Sequence, residues 1–275
     1  MRIAVLQMTS GIDPAANART LVSAMDEAAA GGAAILFTPE MSGLLDRDRR
    51  RGAASIVGEA DDVVLAAARA AAARLGLWVQ LGSLALRPGG DETRYVNRGF
   101  LIDAGGDIRT RYDKLHLFDV DLATGESWRE SAAYAPGAGA VVAETPAGKL
   151  GFSICYDMRF PDLYRALSNA GAEILAVPAA FTVPTGQAHW HVLLRARAIE
   201  AGCFVIAAAQ VGEHEDGRLT YGHSLVIDPW GEVLLDMDEA TGVGFAEIDL
   251  DRLRDVRARI PALKHRRPIP DVAQA

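Results

Sequence analysis

Three side chains in this sequence could do chemistry together. Cys155 lies in the run Lys-Leu-Gly-Phe-Ser-Ile-Cys-Tyr-Asp-Met-Arg-Phe-Pro at 149–161. An apolar run ends in a thiol and Pro161 then opens a helix, so the nucleophile stands where a buried strand leaves its sheet. Glu40 and Lys114 hold similar corners, each just past an apolar run of strand length. In α/β sheets, ligands gather beyond the carboxyl ends of strands. A free thiol has a pKa of about 8.5 and needs help to react at neutral pH. A carboxylate can take its proton, and an ammonium can favour the thiolate and later hold an oxyanion. The backbone N–H of Tyr156, the residue after the thiol, is a second oxyanion donor. Such a set runs acyl transfer through a thioester. Each residue also has a plainer reading: Glu40 as a surface carboxylate, Lys114 as a solvent-side partner of Asp113 or Asp119, Cys155 as a small buried hydrophobe. Spacing alone favours the plainer reading for each one separately. Their joint occurrence at strand exits moves the balance toward chemistry.

The elements that must position these corners follow from apolar runs and breakers. Residues 3–8 read as a buried strand, and Asp13-Pro14 caps a helix to about residue 30 that Gly31-Gly32 ends. Strands are expected at 33–37 and 77–86, with a helix at 61–75 between them. Residues 95–103 and 108–112 flank Ala-Gly-Gly, and 141–145 and 149–155 flank Pro-Ala-Gly, both hairpin signatures. A helix at 161–170, a strand at 174–178, a helix at 187–201 and a strand at 204–209 follow. Residues 225–228 and 232–236 flank Pro-Trp-Gly as a third hairpin. A strand at 243–249 and a helix at 250–259 complete the body. Mixed strands with helices supplied from both ends predict an α/β fold of two sheets with helices outside. Residues 1–263 read as a single domain and 264–275, with a Pro-flanked basic cluster, as an extended arm. The stretch 115–140 lacks periodicity, and such a loop in a compact domain is often functional.

The bulk composition bounds the function. The 275 residues are half apolar, enough for one large core, and the net charge is −8. An acidic surface argues against nucleic acid or an anionic membrane as the main partner. The arginines at 47 and 49–51 are interleaved with acids and read as a solvated loop. Residues 1–8 stop too early for a signal peptide, and no apolar stretch reaches the roughly 18 residues of a membrane span. Two cysteines without a framework suit a reducing compartment, so a cytoplasmic protein is expected.

The segments Thr-Pro-Glu at 38–40, Tyr-Asp-Lys-Leu-His-Leu-Phe-Asp at 112–119 and Cys-Tyr-Asp-Met-Arg-Phe-Pro at 155–161 resemble the nitrilase, or carbon–nitrogen hydrolase, superfamily. The resemblance continues through residues 185–200, Tyr-Gly-His-Ser at 221–224 and Asp-Pro-Trp-Gly at 228–231, and so covers essentially the whole chain. It implies a four-layer α-β-β-α sandwich, commonly paired into dimers across the helix face that carries the cysteine. It also implies a Glu–Lys–Cys triad, with Glu40 as general base, Lys114 as oxyanion stabiliser and Cys155 as nucleophile. The family's second glutamate maps to Glu130 in Trp-Arg-Glu-Ser, with Glu126 as the competing choice. No metal or organic cofactor is implied. A binding or scaffold member that keeps the fold without turnover is the non-enzymatic alternative, and the presence of all three triad types counts against it.

The motif details most resemble the deaminated glutathione amidase branch, which splits the amide between a 2-oxoglutarate unit and cysteinylglycine. The related ω-amidases act on 2-oxoglutaramate, and other small amides or N-carbamoyl compounds are further alternatives. A 2-oxo acid carboxylate calls for a cation. Arg159 is the first choice, held level with the alternative that it pairs with Asp157 or Asp162. Phe181 and Thr182 follow a strand exit and are expected to line the pocket.

The remaining reactive types have quieter explanations. His189 and His191 are two apart, so on a helix they do not share a face, and a zinc site is not expected. Relatives often carry Glu at the position of His191. Cys203 opens a buried strand and reads as core. Gly137-Ala-Gly139 lacks the Lys-Ser/Thr and helix start of a phosphate loop. Arg195, Arg197 and Glu200 read as a structural ion-pair network, and Trp190 as a core or interface aromatic.

Overall fold

Consecutive side chains of a strand point to opposite faces, and in the strand Arg2–Gln7 both faces are buried. Ile3 and Val5 enter one apolar cluster while Ala4 and Leu6 enter another. Ile35–Phe37 repeats the division, with Ile35 and Phe37 on the first cluster and Leu36 on the second. A sheet with two buried faces must be covered on both sides, which is the origin of the layered architecture.

A computed structural model describes residues 1–90, 92–121, 125 and 127–269. It contains two six-stranded mixed sheets. The first runs, edge to edge, Gly242–Glu247, Arg2–Gln7, Ile35–Phe37, Trp78–Leu86, Val96–Ile102 and Ile108–Asp113. Its three central strands are parallel and its outer pairings antiparallel. The second runs Val233–Asp236, Leu225–Ile227, Phe204–Ala207, Ile174–Ala176, Gly148–Phe152 and Val142–Thr145. Here too the central three strands are parallel.

One apolar cluster joins the inner face of the first sheet to the second sheet and to Trp190, Leu194 and Ala198 of the helix Val183–Ala201. The other packs the outer face of the first sheet against the helices Pro14–Ala30 and Val63–Leu75. The result is the expected α-β-β-α sandwich. Among the described residues, no helix is long and apolar enough to cross a membrane.

Most expected elements appear within a few residues of their expected ends. Three differ. The helix expected at 187–201 begins at Val183, because Pro184 fits the first turn, where its missing N–H is not needed. The unpatterned stretch 115–140 contains a two-stranded ribbon, Asp119–Asp121 with Ser127–Arg129, followed by a short 3₁₀ turn at Glu130–Ala132. The arm expected at 264–275 begins inside a helical turn, Ala262–His265. Arg266 then anchors on Ser168, Asn169 and the Glu200 carbonyl. The last described residue is Ile269.

Candidate active site

Strand ends deliver the reactive groups. Thr38-Pro39-Glu40 leaves the central strand Ile35–Phe37 of the first sheet, and Lys114 follows the edge strand Ile108–Asp113. Cys155 follows Gly148–Phe152 and opens a 3₁₀ turn, Cys155–Arg159, that leads through Phe160 into the helix Pro161–Asn169. Its backbone is left-handed, with φ of 49°, and its N–H is held by the Pro178 carbonyl at 2.9 Å. A non-glycine residue in that region carries strain and persists only where its surroundings hold it. Met41, directly after Glu40, is left-handed as well, with φ of 56°.

These three corners meet. Lys114 Nζ lies 2.9 Å from Glu40 Oε1 and 2.9 Å from Glu130 Oε2. Lys114 therefore takes neither Asp113 nor Asp119 as a partner. Asp113 is bound by Arg98 at 2.6 Å, and Asp119 accepts from Ser131. Asn97 Nδ2 donates to Glu40 at 2.9 Å and to Glu130 at 3.3 Å. The Ala180 N–H donates to Glu40 Oε2 at 2.9 Å, and the Phe118 N–H to Glu130 Oε2 at 2.6 Å. The Cys155 thiol bears on the Glu40 carboxylate. Glu40, Lys114 and Cys155 are all buried. Glu126, the competing choice for the second glutamate, lies outside the described residues.

The charges follow from this geometry. Burial alone would raise the Glu40 pKa, but the adjacent Lys114 ammonium outweighs it and holds the carboxyl below its ordinary value. Burial would neutralise Lys114, yet Glu130 and Glu40 together keep it firmly protonated. For Cys155, burial and then the Glu40 charge push the thiol well above its ordinary value, against the pull of Lys114. The resting site thus holds a neutral thiol, an ionised glutamate and an ammonium. One proton can move from sulfur to Glu40 when a substrate carbon draws electrons from the sulfur.

The site opens into a cavity of about 410 Å³. Glu40, Lys114, Glu130, Cys155, Tyr156, Phe181 and Thr182 all line it. Thr182 precedes the helix Val183–Ala201, and its hydroxyl bonds that of Thr185 at 2.7 Å. Arg159 is not in the lining. Its guanidinium packs over the Phe181 and Tyr156 rings, at 5.5 and 6.0 Å, and reaches His189 Nδ1 at 3.3 Å. Neither Asp157 nor Asp162 is its hydrogen-bond partner among the described residues.

Asp157 has another task that its position near the thiol could have suggested. Its fully buried carboxylate accepts from the Tyr112 hydroxyl at 2.7 Å and from the Ile154 N–H at 2.9 Å. Its other oxygen accepts the His116 N–H at 3.0 Å and faces His116 Nδ1 at 2.7 Å. One carboxylate therefore ties the Lys114 segment to the Cys155 turn. Asn97, which holds both glutamates, carried no local signal in the sequence.

The other reactive types take mostly structural places. Cys203 is buried core, Arg197 pairs with Glu200 at 2.6 Å, and Trp190 is fully buried with its indole N–H on the His223 carbonyl. Arg195 stands apart from that pair and donates to the Gly231 carbonyl. His189 and His191 do not share a site. His191 finds Asp236, 2.9 Å away, and His223 Nδ1 sits 3.0 Å from the same carboxylate. Among the described residues this is the one group of three or more such side chains close enough to share an ion, its ligand atoms all within 4.8 Å. Its members already hydrogen-bond one another and do not line the cavity.

The model for the carbon–nitrogen hydrolase family matches residues 2–258. The chain belongs to the carbon–nitrogen hydrolase family. A deaminated glutathione amidase from Bos taurus is 42% identical over 272 residues, spanning 97% of this chain and 82% of that protein. Among solved structures, the Caenorhabditis elegans NitFhit protein superposes with a TM-score of 0.89 at 38% identity, over 97% of this chain. This chain spans 65% of the length of NitFhit. A glutamate-to-glutamine mutant of the amidase from Nesterenkonia sp. AN1, solved with acrylamide added at its active-site cysteine, superposes with a TM-score of 0.78 at 27% identity, over 95% of this chain and 98% of that one. The protein is thus a nitrilase-superfamily hydrolase acting on amide carbon–nitrogen bonds.

Proposed function

We propose that this hydrolase cleaves the amide of deaminated glutathione, giving 2-oxoglutarate and cysteinylglycine, through a thioester on Cys155. The observation that carries the chemistry is the contact of one ammonium, Lys114, with two carboxylates beside a buried thiol at the floor of a cavity. The substrate assignment draws on the amidase relative and on the motif details around Cys155.

In this mechanism Glu40 takes the thiol proton as sulfur attacks the amide carbon. The carbonyl oxygen becomes an oxyanion between the Lys114 ammonium and the Tyr156 N–H, a first-turn amide without an intrahelical acceptor. The C–N bond breaks as Glu40 passes its proton to the leaving nitrogen, and cysteinylglycine departs with a neutral amine. Water then enters and Glu40 takes one of its protons. The hydroxide adds to the thioester carbon, and the C–S bond breaks. The thiolate is reprotonated and 2-oxoglutarate leaves as the acid. Glu130 holds Lys114 throughout, so the ammonium stays charged while Glu40 cycles between its two forms. Every step uses protein groups and water, and no metal or organic cofactor takes part.

Two further parts of the reading concern the molecule's setting. Val192 and Ile199, seven residues apart and so on one face of the helix Val183–Ala201, are exposed, as are nearby Trp230 and Ile260. A homodimer paired on this face would cover them. Free thiols at Cys155 and Cys203 suit a cytoplasmic location.

The test is a panel of deaminated glutathione, 2-oxoglutaramate, a simple nitrile and an N-carbamoyl amino acid. The highest kcat/KM is expected for deaminated glutathione. Preference for 2-oxoglutaramate would move the assignment to ω-amidase. Preference for the nitrile or carbamoyl compound would overturn the substrate assignment and leave the triad in place.

A further inference from the structure

One part of the cavity wall is built from three separate segments that bring cations to one indole. Trp128 comes from the ribbon strand Ser127–Arg129, Arg218 from the turn before Leu219–Tyr221, and Arg47 from the loop after Leu45. The Arg218 guanidinium lies 4.6 Å from the Trp128 ring centre and that of Arg47 lies 5.6 Å from it. The Arg218 side chain is only 17% exposed. Burial, and the nearby Arg47 charge, lower its pKa, but a guanidinium stays protonated in proteins.

The local anion is already engaged. Asp216 pairs with Arg218 Nη2 at 3.5 Å, and its oxygens also accept the backbone N–H of Arg47 at 2.7 Å and the backbone N–H of Arg218 at 2.9 Å. Asp46, also in the lining, is bound in two places by Arg51. Two donors are left over. Arg218 Nε and Trp128 Nε1 are both buried and find no acceptor among the described residues. Buried polar groups are almost always paired, so an unpaired one calls for an explanation. Two cations stacked on one ring in the cavity wall present positive charge that an anionic group in the cavity can meet through the Arg218 guanidinium.

We propose that Arg218 and Trp128, with Arg47 adding charge, form the subsite that receives a carboxylate of the substrate. The proposal rests on the amidase reading of the cavity and adds to it the residues that select an acidic amide. It differs from the sequence-based expectation, because Arg159 stacks on the Phe181 and Tyr156 rings and is not part of the cavity lining, while Arg218 is. Arg218 is a binding residue here, since it touches substrate away from the reacting atoms. Deaminated glutathione carries a carboxylate at its 2-oxo acid end and another on the leaving cysteinylglycine. The same guanidinium can serve either, and the two ends are separable by experiment.

The experiment compares Arg218→Leu, Arg218→Lys and Trp128→Phe with the unmodified protein. Substrates are deaminated glutathione, 2-oxoglutaramate and the methyl esters that mask each carboxylate. Loss of a charge-assisted hydrogen-bonding group predicts a KM rise of about 10- to 100-fold in Arg218→Leu, with kcat changed far less. Trp128→Phe keeps a smaller aromatic face under the guanidinium and loses the fused pyrrole ring with its N–H, so about a 2- to 10-fold rise is expected. Arg218→Lys keeps the charge and falls between the two. A rise for both acids places the subsite at the 2-oxo acid end. A rise for deaminated glutathione alone places it at the leaving peptide. Equal losses for the acid and its masked ester, or no change in KM, overturn the proposal.

Calorimetry with glutarate, a plain dicarboxylate, on Cys155→Ala protein separates this proposal from the substrate assignment. Glutarate should bind that protein and bind it at least about tenfold more weakly when Arg218→Leu is added. Equal binding by both proteins, or binding by neither, overturns the subsite. If neither 2-oxo amide is turned over yet glutarate binding depends on Arg218, the substrate assignment fails and the subsite stands.

Discussion

At the residue scale, the site has a thiol that rests protonated beside a carboxylate that rests ionised. The Glu40 charge disfavours the Cys155 thiolate, while in the proposed mechanism its basicity receives the thiol proton during attack, so Glu40 would act on Cys155 in two opposite ways. Glu40→Gln separates the two. Losing the negative charge lowers the thiol pKa, so alkylation of Cys155 by iodoacetamide at neutral pH should be faster than in the unmodified protein. Amide hydrolysis in the same variant should fall by about 10²- to 10⁴-fold. Slower alkylation together with slower hydrolysis would contradict the charge assignment.

The pH profile carries the same assignment. The Glu40 pKa in the folded protein lies below 4.5, its ordinary value. Its ionised form therefore stabilises the fold above that value, and this contribution is lost as the pH falls through the lower folded pKa. The acid limb of kcat/KM is expected below pH 4.5 for the same reason. An acid limb at about pH 6 would mean that the base rests protonated, and would contradict the account.

At the scale of elements, close packing behind the strand ends sets where the reactive groups stand. Gly82 lies in the strand Trp78–Leu86, beside the Thr38–Pro39 turn that aims Glu40. A Cβ at Gly82 would lie 2.1 Å from the Thr38 carbonyl oxygen and 2.4 Å from that of Pro39. Backbone on both sides cannot give way as a flexible side chain would. Gly82→Ala should therefore push the Glu40 corner out of place, lowering kcat by at least about tenfold and stability by roughly 1–3 kcal/mol in urea denaturation. A variant with unchanged kcat and midpoint would show that this contact does not position Glu40.

The same scale explains what was legible in the sequence. Glu40, Lys114 and Cys155 stand out because each lies at a strand exit, a local signal, although Lys114 follows the polar edge strand Ile108–Asp113 and the family resemblance is needed to join them. Glu130 needed the family resemblance, since it sits in a short 3₁₀ turn within an unpatterned stretch. Asn97, Asp157 and Arg218 depend on which loops meet after two sheets close on each other, and no spacing rule encodes that meeting. Arg159 is near Cys155 in sequence, yet its guanidinium stacks on Phe181 and Tyr156 and reaches His189 instead of joining the lining. Pro184 did mark the true start of its helix, three residues before the apolar pattern became clear.

For the whole molecule, the proposed dimer has a direct measure. The chain has a mass of 29.3 kDa, and sedimentation should find particles of two chains. Ile199→Glu with Trp230→Glu places two charges on the exposed apolar face, and this double variant should sediment as a single chain. Two-chain particles that persist in the double variant would place the pairing surface elsewhere. The helix Val183–Ala201 presents this face outward, while its first turn contributes Thr185 to the cavity wall.

The central claim is a covalent bond between Cys155 and the acyl part of an amide, and intact-mass spectrometry of acid-quenched turnover tests it most directly. With deaminated glutathione, the account predicts a species heavier by one 2-oxoglutaryl group, mapped to Cys155 on digestion. Cys155→Ala, which keeps the fold, should show neither the adduct nor any release of cysteinylglycine. Full turnover by Cys155→Ala, or an adduct mapped to Cys203, would contradict the account.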